Sequence, residues 1–410
     1  MTATYRVPGA ILTEREHAVP LDHTVPDGRK ITVFTREVAV PDGADRPYLV
    51  FLQGGPGFEA TRPTSPPSGW MKRALQEYRV LLLDQRGTGR STPVGMQIPG
   101  DTPEAQADYL THFRADSIVR DAELIRQELG VDRWSLLGQS FGGFCSITYL
   151  SFAPAGVREV LITGGLAPIG RPVDDVYTAT YRRTIQKNRA FYARYPDDQP
   201  RARDIFHRLE NEDIRLPGGD RLTARRMRQL GNWLGSSVGF EQLHHVLELP
   251  FGSNAFLHDA EIGASNFPRN PLYVTIHEAC YADGGATRWS AARLLPPEVE
   301  EEGYFTAEHI FPWMFEDYGA LRPHRAAAEI LANHEWPRLY DPDVLAHNEV
   351  PVAATVYFND AYVESQFAQE TAAAIRGLRP WITNEYEHNG LGADADRVVG
   401  RLIDLVKGRA

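Results

Sequence analysis

Residues 134–143, Trp-Ser-Leu-Leu-Gly-Gln-Ser-Phe-Gly-Gly, restrict what this chain can fold into more than any other stretch. A short apolar strand, Trp134–Leu137, runs directly into Gly138-Gln139-Ser140-Phe141-Gly142, a G-x-S-x-G pattern. Upstream, Ile118, Ala122, Ile125 and Leu129 share one face of a helix expected over Asp116–Leu129, and Gly130 can end it in the left-handed region. Downstream, Phe144–Leu150 is expected to continue as a second helix. The order helix, strand, tight turn, helix lifts a serine hydroxyl above the edge of a sheet. Gly138 and Gly142 leave room for the strained turn, and Gly143 lets the following helix approach the next strand. The free N–H groups at that helix start, Phe141 first, face the place where negative charge would develop on a substrate.

The rest of the chain reads as an α/β core built around that turn. Residues 1–46 are expected to be β-rich, with Ile31–Val40 ending at the turn signal Pro41-Asp42-Gly43. Pro47–Leu52 and Arg79–Leu83 are continuous apolar runs of strand length, the pattern of buried parallel strands. The first ends in Gln53-Gly54-Gly55-Pro56-Gly57, read as the loop whose N–H at Gly54 or Gly55 completes an oxyanion hole with Phe141. The second ends at Asp84-Gln85-Arg86, read as a loop-fixing ion pair. After a strand at Val160–Thr163 the strand signals stop. Helices are expected at Val176–Tyr195, Ala202–Glu212 and Ala224–Leu234. The sheet resumes at Val352–Phe358, followed by a helix at Gln366–Arg376, a strand at Trp381–Thr383 and a last helix at Asp394–Lys407. The expected architecture is a mostly parallel α/β core in two parts, residues 1–169 and 341–410, with a helical cap inserted over 170–340.

A serine nucleophile needs a base, and the base needs an acid to orient it. Beyond the insertion, Asp360 directly follows a buried strand and His388 lies in the loop after the next one. Carboxyl ends of parallel strands open into one crevice, so Ser140, Asp360 and His388 can converge there. Asp341, Asp343 and Asp394 are less well placed, and His347 precedes its strand. His277-Glu278 is not followed by a second ligand at helical spacing, so no metal is expected. Cys145, five residues past Ser140, reads as packing.

Composition bounds the partners. A formal net charge of −11 with no basic block argues against nucleic acid. No run reaches the roughly 18 apolar residues that span a bilayer, so no membrane association is expected. Two cysteines in 410 residues, and a start lacking the basic and apolar regions of a signal peptide, point to the cytoplasm.

These motifs together resemble the proline iminopeptidases (prolyl aminopeptidases) of the α/β-hydrolase superfamily, the larger bacterial subgroup in particular. The resemblance rests on Gln53–Gly57, Asp84-Gln-Arg-Gly-Thr-Gly89, Gly138–Gly143, Asn359-Asp360 and His388-Asn-Gly390 in the core. In the cap it rests on His277-Glu-Ala-Cys-Tyr281 and Glu308–Phe315. Gln53, where many relatives carry His, and Ala361, where they often carry Met, depart from the pattern. The resemblance implies cofactor-free release of N-terminal proline from small peptides by a Ser140–His388–Asp360 triad. It also implies that Glu278 and Glu308 bind the substrate's ammonium group, as paired buried carboxylates can. Phe141, Tyr281, Trp313 and Phe315 become candidates for a proline-ring pocket. The alternative is a carboxylesterase, amidase or biosynthetic acyl-hydrolase with the same triad, marked by loss of charge selection in the cap. The intact Ser, Asp and His argue against a non-catalytic binding protein.

Overall fold

The computed structural model describes residues 2–263 and 266–410. Among the described residues nine strands form one sheet: β1 Thr2–Val7, β2 Ala10–Pro20, β3 Lys30–Ala39, β4 Tyr48–Leu52, β5 Arg79–Asp84, β6 Trp134–Gln139, β7 Val157–Thr163, β8 Val352–Tyr357 and β9 Leu378–Thr383. Their spatial order is β1-β2-β3-β5-β4-β6-β7-β8-β9. The pairs from β1 to β5 are antiparallel, and every pair from β5 to β9 is parallel. The sheet is therefore α/β and mostly parallel, as the apolar runs predict.

Alternation along the strands explains the layers. Val50, Leu52, Leu81, Leu83, Leu136, Val160 and Ile162 pack on one face, against the helices Ala115–Glu128 and Phe141–Phe152. Their neighbours Leu49, Phe51, Val80, Leu82, Leu137 and Leu161 point the other way, onto the helices Gly69–Ala74 and Ala395–Val406. A strand buried on both faces has no polar side to show, so these runs read as continuously apolar.

Between β7 and β8 the described residues hold helices, turns and two isolated β-bridges, Arg215–Arg221 and Gly285–Trp336. Two apolar clusters lie within this stretch, one around Phe191, Phe206, Met227, Leu243 and Phe305, the other built mainly around Tyr273, Phe311, Met314 and Tyr318. The stretch begins with the long helix Val173–Arg194. The expected helix over Ala224–Leu234 is α-helical only over Ala224–Arg228 and continues as a 3₁₀ turn over Gln229–Gly235. Within that turn Gly231 lies against a neighbouring segment: a Cβ there would be 2.1 Å from the Thr306 carbonyl oxygen. Among the described residues no helix is long and apolar enough to cross a membrane.

The turn after β6 is tightly packed against backbone. A Cβ on Gly142 would lie 1.9 Å from the Leu52 carbonyl oxygen, and one on Gly143 would lie 2.3 Å from that of Gly165. Both obstacles are backbone, which cannot swing aside. Gly142→Ala is therefore expected to cost at least about 1–3 kcal/mol as overpacking. Gly392→Ala, where a Cβ meets nothing within 4 Å, should leave the urea midpoint unchanged or raise it. Equal midpoints for the two variants would contradict the close approach.

Candidate active site

Ser140 stands between β6 and the helix Phe141–Phe152 with φ 54° and ψ −124°, a backbone conformation costly for any residue with a Cβ. Its N–H donates to the Thr163 carbonyl (3.0 Å), and its own carbonyl accepts from the Gly143 N–H (2.7 Å). The turn is thus tied to β7 on one side and to the new helix on the other. Phe141 opens that helix, so its N–H has no partner inside the helix.

Two further loops at the same sheet edge reach Ser140. Asp360, 1% exposed, follows β8. Its Oδ1 accepts the N–H groups of Tyr362 (2.8 Å) and Val363 (3.0 Å). Its Oδ2 lies 2.7 Å from Nδ1 of His388, in the loop after β9. The imidazole Nε2 lies 2.9 Å from Ser140 Oγ. With Nδ1–H donating to the carboxylate, Nε2 is left as acceptor for the serine hydroxyl. The Tyr362 ring stands edge-on to the imidazole at 4.9 Å, and the His388 N–H donates to the Gly235 carbonyl (3.1 Å). Burial by itself disfavours the imidazolium. The charge of Asp360 and its hydrogen bond outweigh that, with help from Glu308 and Glu387, and hold the His388 pKa above the ordinary histidine value.

Ser140 and His388 open on a cavity of about 250 Å³, lined also by Gln53, Gly54, Gly55, Phe58, Gln139, Asn232, Phe267, Tyr273 and Glu308. The glycine loop is held by Gln85, whose Nε2 donates to the Gln53 carbonyl (3.0 Å). Gly54 leaves space that a Cβ would take from the Gln139 side chain and Ser140 Cβ. Glu308 is half-buried and accepts from the Tyr273 hydroxyl (2.6 Å). Burial pushes its carboxyl up to about 7, although the Tyr273 hydrogen bond and His388 pull the other way.

The sequence matches the α/β hydrolase fold family over residues 47–246. It is 51% identical over 403 residues to a proline iminopeptidase from Aeromonas sobria, covering 94% of each chain. The chain belongs to the proline iminopeptidase family. It is an enzyme, a hydrolase of the α/β-hydrolase superfamily. A second relative, proline iminopeptidase aneH of Aspergillus aculeatus, is 34% identical over 430 residues, spanning 98% of this chain and 95% of the other. A crystal structure of proline iminopeptidase from Mycobacterium smegmatis overlays 97% of this chain and 100% of its own, at a TM-score of 0.48 and 15% identity.

Within this family member, the structure gathers some of the expected residues and separates others. Ser140, His388, Gly54, Gly55 and Glu308 line one cavity, with Asp360 buried behind His388. Glu278 does not reach it. It is 6% exposed, and its two oxygens accept the N–H groups of Ser290 (3.1 Å) and Ala291 (2.9 Å) at the start of the helix Ser290–Arg293. Burial raises its carboxyl to about 7 against those hydrogen bonds. Tyr281 packs edge-on to Phe144 and Tyr177, and Trp313 stacks on Phe311, so neither lines the cavity. Asp84 and Arg86 do fix loops, but not by pairing with each other. Asp84 binds Arg62 and the N–H groups of Ala60 and Arg90, while Arg86 binds Asp121 and the carbonyls of Pro20, Leu21 and His112. The cavity residues Phe58, Asn232 and Phe267 stand in loops or short helices without a motif, and sequence reasoning missed them.

The geometry fixes the sign of a titration experiment. By NMR on ¹⁵N-histidine protein, His388 should titrate above the usual value near 6.5. In Asp360→Asn the charge is gone and burial prevails, so the midpoint should fall below that value. An unchanged midpoint would show that Asp360 does not control His388.

Proposed function

We propose that the enzyme releases N-terminal proline from small peptides through an acyl-enzyme on Ser140. The observation that carries this reading is the continuous hydrogen-bonded line from Asp360 through His388 to Ser140, opening on a cavity whose wall holds a carboxylate, Glu308. The names of the two full-length relatives support the same substrate.

In this mechanism Ser140 Oγ attacks the scissile carbonyl while His388 Nε2 takes its proton. Asp360 holds the tautomer and stabilises the imidazolium. The N–H of Phe141 and that of Gly54 or Gly55 receive the oxyanion. His388 then returns the proton to the leaving amine, and a water activated by the same imidazole hydrolyses the prolyl ester. No step calls for a cofactor.

Selection of the free amine falls to Glu308. A carboxyl held near 7 by burial loses its proton to solvent when an ammonium group arrives, because that charge favours the carboxylate it pairs with. Glu278, with both oxygens already bonded to backbone, braces the helix at Ser290 instead. Residues 170–340 act as a cap, supported by their two separate apolar clusters and by the delivery of Tyr273, Asn232 and Glu308 to the cavity. The two buried free cysteines, Cys145 and Cys280, fit a reducing cytoplasm.

Measured kcat/KM for prolyl-p-nitroanilide should exceed that for its N-acetyl form by about 30-fold to several thousand-fold, the span of a lost charge partner of about 2–5 kcal/mol. Glu308→Gln should erode that ratio and leave cleavage of p-nitrophenyl acetate nearly intact. Ser140→Ala should lower turnover of every substrate by at least about 10⁴-fold. Equal cleavage of free and acetylated proline substrates by the wild type would replace this reading with the esterase one.

A further inference from the structure

The helical insertion grips both loops that carry the base and its acid. His388 N–H donates to the Gly235 carbonyl (3.1 Å), and Asn389 Oδ1 accepts from Ser237 N–H (3.1 Å) and Oγ (2.8 Å). The Tyr362 hydroxyl donates to the Asn232 carbonyl, and Arg183 pairs with Glu364 at 3.0 Å. One turn beyond Arg183, on the helix Val173–Arg194, Lys187 is 7% exposed and its ammonium pairs with Glu387. Glu387 immediately precedes His388.

We propose that Lys187 and Glu387 form a charge-balancing, positioning pair for His388, in which the insertion's lysine neutralises a carboxylate that would otherwise hold the base protonated. The proposal rests on the reading of His388 as the base.

A buried ammonium needs a counter-ion, so Lys187 fixes where the Glu387 carboxylate sits and with it the entry to the His388 loop. Unpaired, a carboxylate one residue away would favour the imidazolium and remove the neutral form that accepts the Ser140 proton. Paired, the lysine offsets part of that pull, so Glu387 raises the His388 pKa by less than it would alone. The other groups facing His388 are Asp360 and Tyr362 from the loop after β8, Glu308 across the cavity, and the Arg183–Glu364 pair farther out. Neither Lys187 nor Glu387 lines the cavity or touches the triad atoms. They therefore act through His388 and are positioning residues.

The test is the acid limb of kcat/KM against pH with prolyl-p-nitroanilide, for the wild type, Lys187→Met, Glu387→Gln, the double variant and Lys187→Arg. Lys187→Met should move the limb up by about 0.5 pH unit, and Glu387→Gln should move it down by a similar amount. On the limb, those shifts read as about threefold loss and about threefold gain at fixed pH. The double variant, with both charges gone, should lie between the two single variants, and Lys187→Arg, with the charge kept, should stay near the wild-type position. Limb position does not depend on the active fraction, so a poorly folded variant still reports. Limbs that stay put in both single variants, or move in the same direction, would overturn the proposal and leave the triad intact. A wild type with no histidine-type limb would instead overturn the reading of His388 as base, and the proposal with it.

Discussion

The backbone of Ser140 is the constraint from which the rest of the site follows. A side-chain-bearing residue at φ 54° and ψ −124° stores roughly 1–3 kcal/mol and persists only where its surroundings leave no alternative. Here the surroundings are backbone on every side: Leu52 against Gly142, Gly165 against Gly143, and the Thr163 carbonyl on the Ser140 N–H. These contacts exist because β4, β6 and β7 lie side by side with parallel direction, so that their carboxyl ends finish together. The same edge receives the loops after β8 and β9. Sheet topology thus delivers Ser140, His388 and Asp360 to one point from positions up to 248 residues apart.

Electrostatics in the site is a contest between burial and pairing. Burial alone drives His277, which packs between Tyr273 and Tyr281, down to about 3 and so keeps it neutral. The same burial drives Glu308 up to about 7. His388 escapes this fate because Asp360 lies against Nδ1, itself held by two backbone N–H groups. Burial thus lowers the His277 pKa and raises that of Glu308, while pairing with Asp360 raises that of His388 against burial.

Legibility from sequence tracked how local each cause was. The strand-to-helix turn at Ser140 is written in adjacent residues, and the strand ends that carry Asp360 and His388 follow from apolar runs such as Val352–Tyr357. Glu278 was expected to be a buried carboxylate, and it is. Its use was not legible, because the N–H groups it binds at Ser290 and Ala291 come from a separate short helix that nothing nearby announces. The close approach of Gly231 to the Thr306 carbonyl joins positions far apart along the chain. Asn232 and Phe267 reach the cavity through the path of the chain between β7 and β8, which pattern alone does not trace. Asp84 and Arg86 were read as fixing loops, and they do, but their partners Arg62 and Asp121 are set by three-dimensional neighbourhood.

The central claim is that Ser140 carries the prolyl group between the two halves of the reaction. It is tested most directly by rapid acid quench of the enzyme mixed with a prolyl ester, followed by peptide mapping with mass spectrometry. The account predicts a prolyl adduct on the peptide containing Ser140, formed within the first turnover and absent when Asp360 is replaced by Ala at the same quench time. A prolyl adduct on any other residue, or substrate turnover with no adduct at any quench time, would contradict it.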